Sequence, residues 1–400
     1  MLISIPKDVK YIIDTFYNNG YEAFMVGGCI RDILLNKTPM DYDIATSAPP
    51  EITEKLFKKT IPTGIEHGTI TVLIDKNPYE VTTYRTEGKY SDNRKPDSVT
   101  FISDIKEDLA RRDFTINAFA YNDREELLDY FSGNTDLNNK LIKCVGNPDK
   151  RFKEDALRML RAVRFSAQLN FNIDEETFSA IKSNSPSIKN ISKERIRVEL
   201  SKTLLSNNAF SGLMKLSDSN LLKEILPYNL NINKSLDKVN LDLSSRLSFM
   251  FLNLESSLIE TIMRELTFDK ATMNKVIALT SSFEDIQFIN SKADCKRLII
   301  KVGKDNIFHL INLYESITST SISNIASLVQ EILDSNEVLY IRDLSIKGND
   351  LIKELGIAPG KILGELLNHL LNEVIDETID NNYNSLITSA KSYIQNSLES

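Results

Sequence analysis

The sequence contains no long apolar run. Nowhere do about 18 uncharged apolar residues follow one another, so we expect no membrane-spanning helix. The N-terminal residues lack the apolar stretch of a secretory signal, and we expect none. Cysteine is scarce: three residues lie far apart in no metal-ligand spacing, which is typical of a protein in a reducing cytoplasm. Histidine is equally scarce, with three residues and none beside an aspartate, so we expect no metal site built from histidines.

The chain also has no excess of positive charge. Lys and Arg number 48 against 56 Asp and Glu, a net charge of −8, which excludes a protein that is basic throughout but not a local basic stripe. Hydrophobic residues make up 42% and charged residues 26% of the chain, which favours a folded protein over a disordered or collagen-like one. A length of 400 residues predicts about two or three domains.

The two parts of the chain differ in glycine content and in their predicted secondary structure. Half of the 14 glycines fall within residues 1–145. Short runs rich in β-formers alternate there with helical patterns, at residues 24–26, 69–74 and 79–84. From about residue 150 the pattern is helix after helix, including one long helix over 151–169, and we predict no strand after residue 145. The predicted fold class is therefore α+β, with a small mixed sheet followed by an elongated all-α part.

A strand, two glycines and a helix follow one another near the N-terminus. Residues 24–26 lead into Gly27 and Gly28, and Arg31 opens the predicted helix. Glycines there let backbone N–H groups approach a phosphate at the helix N-terminus, and an arginine can bind phosphate oxygens through two parallel hydrogen bonds. The pattern indicates a phosphate site, although a Gly-Gly pair alone is often only a turn.

An Asp-x-Asp pattern comes next. Asp41 and Asp43 are two apart on a predicted strand, so both point to one face, and convergent carboxylates suit hard divalent cations. Glu80, on the strand over 79–84, is the best candidate for the third carboxylate of two-metal nucleotidyl transfer. Taken singly, the aspartates could simply be solvated surface residues, and Glu80 could be a solvent-facing residue of an edge strand. In this order with the glycines, they outline a site for a triphosphate and a metal.

The next cluster opens with two arginines and an aspartate. Arg111, Arg112 and Asp113 stand at a predicted helix start, and Asn117 follows four residues after the aspartate. Guanidinium and amide groups at this spacing could reach a phosphate and a ribose. Alone, the pattern fits equally well a helix cap with surface arginines.

Charged residues form a stripe along the predicted helix over 151–169. Asp155 and Arg158 are three apart and would share a helix face. The arginines that continue this stripe are Arg151, Arg161 and Arg164. On a solvated helix, an Asp–Arg pair adds only about 0.3–0.5 kcal/mol. Four arginines on one stripe repel one another unless something anionic lies alongside, and residues 151–202 hold 11 basic against 7 acidic residues.

These clusters resemble, in order and spacing, the class II tRNA nucleotidyltransferase and bacterial poly(A) polymerase family, within the polymerase-β-like nucleotidyltransferase superfamily. The resemblance covers about residues 20–205, and residues 346–351 are more loosely similar. It rests on the segments Gly27-Gly28-x-x-Arg31-Asp32, Asp41-x-Asp43, Arg111-Arg112-Asp113-Phe114-Thr115-Ile116-Asn117-Ala118, Glu154-Asp155-x-x-Arg158-x-x-Arg161 and Glu194-Arg195-Ile196.

The resemblance implies addition of nucleotides to an RNA 3′ end without a nucleic-acid template, with Mg²⁺ as cofactor. The implied roles are Mg²⁺ binding by Asp41 and Asp43, triphosphate binding by Gly27, Gly28 and Arg31, and nucleotide positioning by Arg112 and Asn117. Asp155 and Arg158 would present an acceptor and donors to the exocyclic amino group and ring acceptor that cytosine and adenine share. Arg161 and Arg164 would lie beside phosphate or the primer end.

The family's organisation implies four consecutive parts. They are a catalytic nucleotidyltransferase head (residues 1–145), a helical neck that recognises the nucleotide (146–210), a helical body (211–325) and a helical tail that binds tRNA (326–400). Within this arrangement, residues 229–242 form the weakest segment of the pattern and a possible boundary.

Within the family we favour complete CCA addition to tRNA from CTP and ATP, in the cytoplasm and without a protein or membrane partner. Residues 85–96 resemble the flexible loop that lets such enzymes change from C to A, and their polar composition suits a mobile loop. Enzymes that add only CC are expected to lack it, but an A-adding enzyme or a poly(A) polymerase is not excluded. A catalytically inactive RNA-binding module is the alternative from another class, and the intact Asp41 and Asp43 argue against it.

Overall fold

The computed structural model describes residues 3–88 and 99–399, in two compact units, Met1–Tyr228 and Asn229–Ser400. This division falls at the start of the segment that the sequence marks as a possible boundary. The four-part organisation stays a prediction. No helix of the described residues is long and apolar enough to cross a bilayer.

The first unit is built on a mixed β-sheet. The strands before residue 130 are β1 (Ala23–Val26), β2 (Asp43–Thr46), β3 (Thr60–Gly64), β4 (Thr69–Ile74), β5 (Asn77–Thr83), β6 (Arg85–Glu87), β7 (Val99–Phe101), β8 (Ala120–Asn122) and β9 (Glu126–Leu128). The main sheet has the order β3-β4-β5-β2-β1-β8-β9, with β2 and β5 parallel and the other neighbours antiparallel. The predicted α+β class, with a mixed sheet and a helical C-terminal part, is confirmed.

The segment expected as a flexible loop is described only in part. Its first residues form β6, which pairs with β7 in a separate two-stranded sheet. The rest of the predicted loop, from residue 89 onward, lies outside the described residues.

Helices cover both faces of the main sheet. They are α1 (Lys7–Asn18), α2 (Gly28–Leu34), α3 (Pro50–Leu56), α4 (Ile105–Ala110) and α5 (Gly133–Asn138). Alternate residues of each central strand point to opposite faces. On one face Met25 and Ile44 pack into a core with residues of α1, and on the other Phe24 and Ala45 pack with residues of α4. The sheet is therefore buried on both sides at its centre.

The later part of the first unit is helical, as predicted, but it also contains a strand. Its helices are α6 (Pro148–Glu154), α7 (Leu157–Leu169), α8 (Glu175–Asn184), α9 (Lys193–Leu204), α10 (Ala209–Asp218) and α11 (Leu221–Ile225). Strands β10 (Leu141–Ile142) and β11 (Asn172–Ile173) pair in parallel. The prediction of no strand after residue 145 is therefore wrong, because a strand of two residues is too short to show a periodic pattern.

The predicted long helix over 151–169 is wrong as well, because the chain leaves the helix at Asp155. Asp155 has φ −139° and ψ 106°, between α6 and α7. Its Oδ1 accepts a hydrogen bond from Leu157 N–H (3.0 Å). A short acidic side chain that binds a nearby backbone N–H competes with the helical hydrogen bonds, and here it starts a new helix.

The second unit consists of helices in its described part. They are α12 (Leu243–Phe251), α13 (Ser256–Glu265), α14 (Lys270–Ser281), α15 (Lys292–Val302), α16 (Ile307–Thr318), α17 (Ser323–Asp334), α18 (Gly348–Leu355), α19 (Lys361–Ile375) and α20 (Tyr383–Glu399). Helices α18 to α20 share a core around Leu351, Leu370 and Leu386. The buried Arg246 donates to the carbonyls of Val239 (3.2 Å) and Asn240 (3.3 Å), and so fixes the segment that leads into this unit.

The start of α5 provides a test of the packing beside the main sheet. A Cβ on Gly133 would lie 2.3 Å from the carbonyl oxygen of Thr115 and 2.8 Å from the ring of Phe119. We therefore expect Gly133→Ala to lower the free energy of unfolding by about 1–3 kcal/mol, measured by denaturant unfolding of the full chain. Asn134→Ala changes the next, exposed residue and should cost less than about 0.5 kcal/mol. Equal losses in the two variants would contradict the close contact.

Candidate active site

The turn between β1 and α2 requires glycine. Gly27 has φ +80°, a conformation that other residues rarely adopt, and a Cβ on it would lie 2.7 Å from Arg112 Nη1. Its N–H donates to the carbonyl of Phe119 (3.1 Å), and Gly28 is the first residue of α2. The helix N-terminus and the Arg112 guanidinium are thus close together, as a phosphate site would need.

The two predicted metal ligands lie at the end of the central strands, next to this turn. Asp43 is the first residue of β2 and pairs with Val26, the last residue of β1. Asp41 lies before the strand, so the prediction that both aspartates are strand residues is wrong. The strand cannot begin earlier because its partner β1 ends at Val26, where the chain turns at Gly27.

Glu80 lies on the same face of the sheet as Asp43. Strands β2 and β5 are parallel, and Ile44 lies opposite Val81. Asp43 precedes Ile44 and Glu80 precedes Val81, so both acidic side chains point to the opposite face of the sheet from Ile44 and Val81. Asp43 is open to solvent on one side but crowded by protein on the others. The pKa of Asp43 is raised to about 6, chiefly by desolvation and in part by the charges of Asp41 and Glu80, with Arg112 acting in the opposite direction.

This donor set fits a divalent cation. The pKa of Asp43 is raised mainly by desolvation and secondly by the nearby carboxylates, whose repulsion a cation would relieve. Carboxylate oxygens are the ligands that Mg²⁺ prefers. In the described ranges, no three His, Cys, Asp or Glu side chains converge closely enough to hold a metal ion by themselves. Asp41 and Asp43 would hold the ion together with phosphate oxygens and water, which is the usual arrangement for Mg²⁺ with nucleotides.

The structure brings Arg31, Arg112 and Asn117 together, although they come from separate segments. Arg31 Nη1 donates to Asn117 Oδ1 (2.7 Å), and Arg31 Nε and Nη2 donate to Asp32 (2.9 and 2.7 Å). Arg112 Nη1 donates to the carbonyl of Asn117 at 3.5 Å. Asn117 Nδ2 in turn donates to Asp113 (3.3 Å). The three predicted nucleotide-binding side chains are therefore linked to one another through Asn117.

The Arg-Arg-Asp sequence does not start a helix, contrary to the prediction. Helix α4 ends at Ala110, and the chain is extended at Phe114 before a 3₁₀ turn over Thr115–Asn117. Asp113 is 8% exposed and accepts hydrogen bonds from Phe114 N–H (2.9 Å) and from Arg161 Nε (2.7 Å), and Arg161 Nη2 forms an ion pair with it at 2.6 Å. Burial opposes its ionisation, but Arg161 and Arg158 hold the pKa of Asp113 below its ordinary value.

Asp155 and Arg158 do not share a helix face, because the chain breaks at Asp155. Instead, each side chain has its own partner. Arg195 on α9 donates to both oxygens of Asp155 (2.7 and 3.4 Å). Arg158 donates to Glu154 (2.9 Å) and to the carbonyl of Arg111 (3.0 Å). Two different parts of the first unit thus hold the predicted base-reading groups.

Each arginine of the stripe forms an ion pair with a carboxylate of the protein itself. The ion pairs are those of Arg151 and Arg158 with Glu154 (2.7 and 2.9 Å), Arg161 with Asp113 (2.6 Å) and Arg164 with Glu199 (2.7 Å). Arg158 and Arg164 are buried, so the solvated helix considered for this stripe is also excluded. The expected anionic neighbour is present, but it consists of glutamate and aspartate side chains.

Three charged residues form ion pairs with predicted site residues, and the sequence predicted no role for them. Arg195 holds Asp155, Glu199 neutralises Arg164, and Glu154 joins two arginines. Arg195 and Glu199 are four apart on α9, a spacing that puts them on one helix face. That spacing was the available signal, but it does not reveal which distant residues they contact.

Family models match most of the chain. The "Poly A polymerase head domain" matches residues 23–143, the "RNA and SrmB- binding site of polymerase A" matches residues 170–230, and "tRNA nucleotidyltransferase domain 2" matches residues 246–390. The CCA-adding enzyme of Ligilactobacillus salivarius is 37% identical over 98% of this chain and 98% of its own. That of Pediococcus pentosaceus is 39% identical over 90% of each chain.

Solved structures agree with these relatives. The crystal structure of the Bacillus stearothermophilus CCA-adding enzyme in complex with CTP is similar with a TM-score of 0.85 at 27% identity, over 99% of this chain and 100% of that one. The Thermotoga maritima CCA-adding enzyme complexed with tRNA has the same fold, with a TM-score of 0.70 at 21% identity over 98% and 96% of the two chains.

The polymerase head, the glycine turn and the paired aspartates define a nucleotidyltransferase, an enzyme class that generally uses a divalent metal. The chain belongs to the family of CCA-adding enzymes, which confirms the resemblance seen in its motifs.

Arg161 provides a test of the buried charge. Arg161→Met removes the main partner of Asp113 and should lower the free energy of unfolding at neutral pH by about 1–3 kcal/mol. The folded-state pKa of Asp113 is lowered, so its stabilisation is present above the unfolded pKa and is lost as pH falls through the folded pKa. The difference between wild type and variant should therefore shrink in acid.

The control is Lys153→Met, which removes an exposed positive charge from α6 and should show little loss at any pH. Unfolding would be followed in denaturant at several pH values. A loss for Arg161→Met that is as large in acid as at neutral pH would contradict the charge pairing.

Proposed function

We propose that this protein adds C, C and A in turn to the 3′ end of tRNA, from CTP and ATP, without a nucleic-acid template. The observation that carries the proposal is the placement of Asp41 and Asp43 beside the glycine turn, in a chain that is 37% identical to a CCA-adding enzyme over nearly its whole length. Relatives with this fold bind CTP and tRNA, which supports the same substrates here.

Asp41 and Asp43 would hold Mg²⁺, and Glu80, on the same face of the sheet as Asp43, would be the third carboxylate of the site. When bound, Mg²⁺ would neutralise charge on the triphosphate and lower the pKa of the primer's 3′ hydroxyl. The carboxylates would position that hydroxyl against the α-phosphate. The 3′ oxygen then bonds to the α-phosphorus, the bond from that phosphorus to the oxygen bridging to the β-phosphate breaks, pyrophosphate leaves, and the hydroxyl proton passes to solvent water. The position of Asp43 supports this assignment, because its carboxylate lies on the same face of the sheet as Glu80 and near the negative charge of Asp41.

The triphosphate lies against the turn between β1 and α2. Gly27 and Gly28 allow a close approach of the phosphates to backbone N–H groups, and the dipole of α2 favours negative charge there. Arg31 and Arg112 supply the charged donors, and Asn117 holds both in place through the hydrogen bonds described above.

Asp155 and Arg158 read the base of the incoming nucleotide. A carboxylate accepts a hydrogen bond from the amino group of cytosine or adenine, and a guanidinium donates to the adjacent ring nitrogen. Uracil and guanine present the reverse pattern at that edge. The separate anchors of the two side chains, Arg195 and Glu154, support this role because a protein edge that replaces a template must be rigid.

The remaining assignments follow from the family. Arg161 and Arg164 lie beside phosphate or the primer end, and the helices of the second unit bind tRNA. The protein acts in the cytoplasm. The segment from residue 85 to 96 changes the specificity from C to A.

The metal assignment is tested by Asp43→Ala. We expect turnover of CTP on tRNA that lacks its CCA end to fall on the order of a hundredfold or more, because the variant loses stabilisation of charge in the transition state. Affinity for tRNA should change less than about twofold, since its contacts are spread over other residues. Glu51→Ala, an exposed acid on α3, is the control. Near-normal turnover of Asp43→Ala would contradict the metal role.

Base selection is tested by Asp155→Ala. Loss of the acceptor leaves the amino group of C or A unpaired, which costs about 1–3 kcal/mol, or roughly a tenfold to hundredfold loss in kcat/KM for CTP and ATP. Relative use of UTP and GTP should rise, because their rejection weakens as well. Glu176→Ala on α8 is the control, and initial rates with each nucleotide are the measurement. Unchanged selectivity at a normal rate would assign base reading to other residues.

A further inference from the structure

Phe165 occupies an unusual position on α7. Its ring is 7% exposed and packs edge-to-face against Phe114, with ring centroids 5.9 Å apart and an interplanar angle of 82°. Phe114 immediately follows Asp113, so the ring lies where α7 meets the segment that carries the buried carboxylate.

Three guanidinium groups surround this one ring. The central carbon of the Arg164 guanidinium is 4.0 Å from the ring centroid, that of Arg31 is 5.2 Å away, and that of Arg161 is 5.4 Å away. All three distances fall within the roughly 6 Å over which the negative face of an aromatic ring attracts a cation. Arg31 comes from α2, whereas the other two are neighbours of Phe165 on α7, so the ring joins two separate elements.

Each of these arginines also has a carboxylate partner away from the ring. Asp32 accepts from Arg31, Asp113 from Arg161, and Glu199 lies 2.7 Å from Arg164. Neither Arg164 Nε nor that Glu199 oxygen makes an aligned hydrogen bond among the described residues, so the pair is held by charge and by the ring.

The three cations crowd one another. Because they share one ring, they lie on the order of 10 Å or less apart, within a Debye length. Burial lowers the pKa of Arg164, and Arg161 and Arg31 lower it further while Glu199 opposes them. Each guanidinium carries five N–H donors, so one carboxylate partner leaves donors that a multiply charged anion can use. Because the cluster is already fixed, little further side-chain ordering is needed when the anion binds.

We propose that Phe165 is a positioning residue that holds Arg31, Arg161 and Arg164 as one anion-binding face for the triphosphate, the part that CTP and ATP have in common. The inference rests on the proposed function, which places the triphosphate beside Arg31. Phe165 itself touches no reacting atom. It acts through the arginines, and its contribution is the same for every nucleotide regardless of the base.

The experiment compares Phe165→Leu with Phe171→Leu in the full-length enzyme. Phe171 is 5% exposed and lies just beyond α7, so the same substitution there removes similar apolar packing without an arginine over the ring. The measurements are the KM and kcat for CTP and ATP and the inhibition constant of inorganic triphosphate against CTP. Thermal unfolding records any general loss of stability.

For Phe165→Leu we expect the KM values for CTP and ATP and the inhibition constant of inorganic triphosphate to rise by one common factor, on the order of tenfold. Selectivity against UTP and GTP should stay unchanged. Phe165→Tyr should restore binding, because it keeps the aromatic face, and Phe171→Leu should leave all three constants near wild type. If Phe165→Leu does not fold, Phe165→Met, whose longer and more flexible side chain fills irregular gaps, is tested in its place.

Two results overturn the inference. One is an unchanged inhibition constant in a folded Phe165→Leu or Phe165→Met variant, and the other is an effect that Phe171→Leu reproduces. Arg31→Met separates this failure from that of the proposed function. If Arg31→Met does not weaken the binding of inorganic triphosphate, the triphosphate does not lie beside Arg31. The proposed phosphate site then fails together with the inference. If Arg31→Met weakens the binding of inorganic triphosphate and Phe165→Leu does not, only the role of the ring is overturned.

Discussion

The ion pair between Asp113 and Arg161 is the contact on which the rest of the site depends. A buried carboxylate is unfavourable unless a charged partner and hydrogen bonds compensate for its lost hydration. Asp113 obtains its hydrogen bonds from Phe114 and Asn117 nearby, but its countercharge comes from α7, 48 residues further along the chain. The pair therefore joins the segment that follows α4, beside the sheet, to α7, the helix that carries Arg158.

This ion pair links the proposed phosphate-binding residues to the proposed base-reading residues. From Arg31, a continuous series of hydrogen bonds runs through Asn117 and Asp113 to Arg161, one helical turn from the proposed base-reading Arg158. The groups that we propose for the two ends of the nucleotide thus have a fixed separation. Such fixed spacing suits an enzyme that must select a base without a template, because a displaced phosphate would also displace the base edge.

The local features of this arrangement could be predicted from the sequence, and the distant contacts could not. The turn at Gly27 has a local cause, because its positive φ favours glycine. The glycine itself is visible in the sequence. The break at Asp155 was missed because helical periodicity continues through it, whereas its cause is a single hydrogen bond to Leu157 N–H. The partnership of Asp155 with Arg195 spans 40 residues, and no spacing rule predicts which of several arginines reaches it.

The most direct test of the account is the length of the product made from tRNA that ends at the discriminator base. The account predicts that CTP alone extends this tRNA by two nucleotides, that ATP alone adds none, and that both together add three and then stop. A long homopolymer from ATP alone would show a poly(A) polymerase, and no extension under any condition would show a binding module. Either result would contradict the claim that protein side chains select C, C and A in turn.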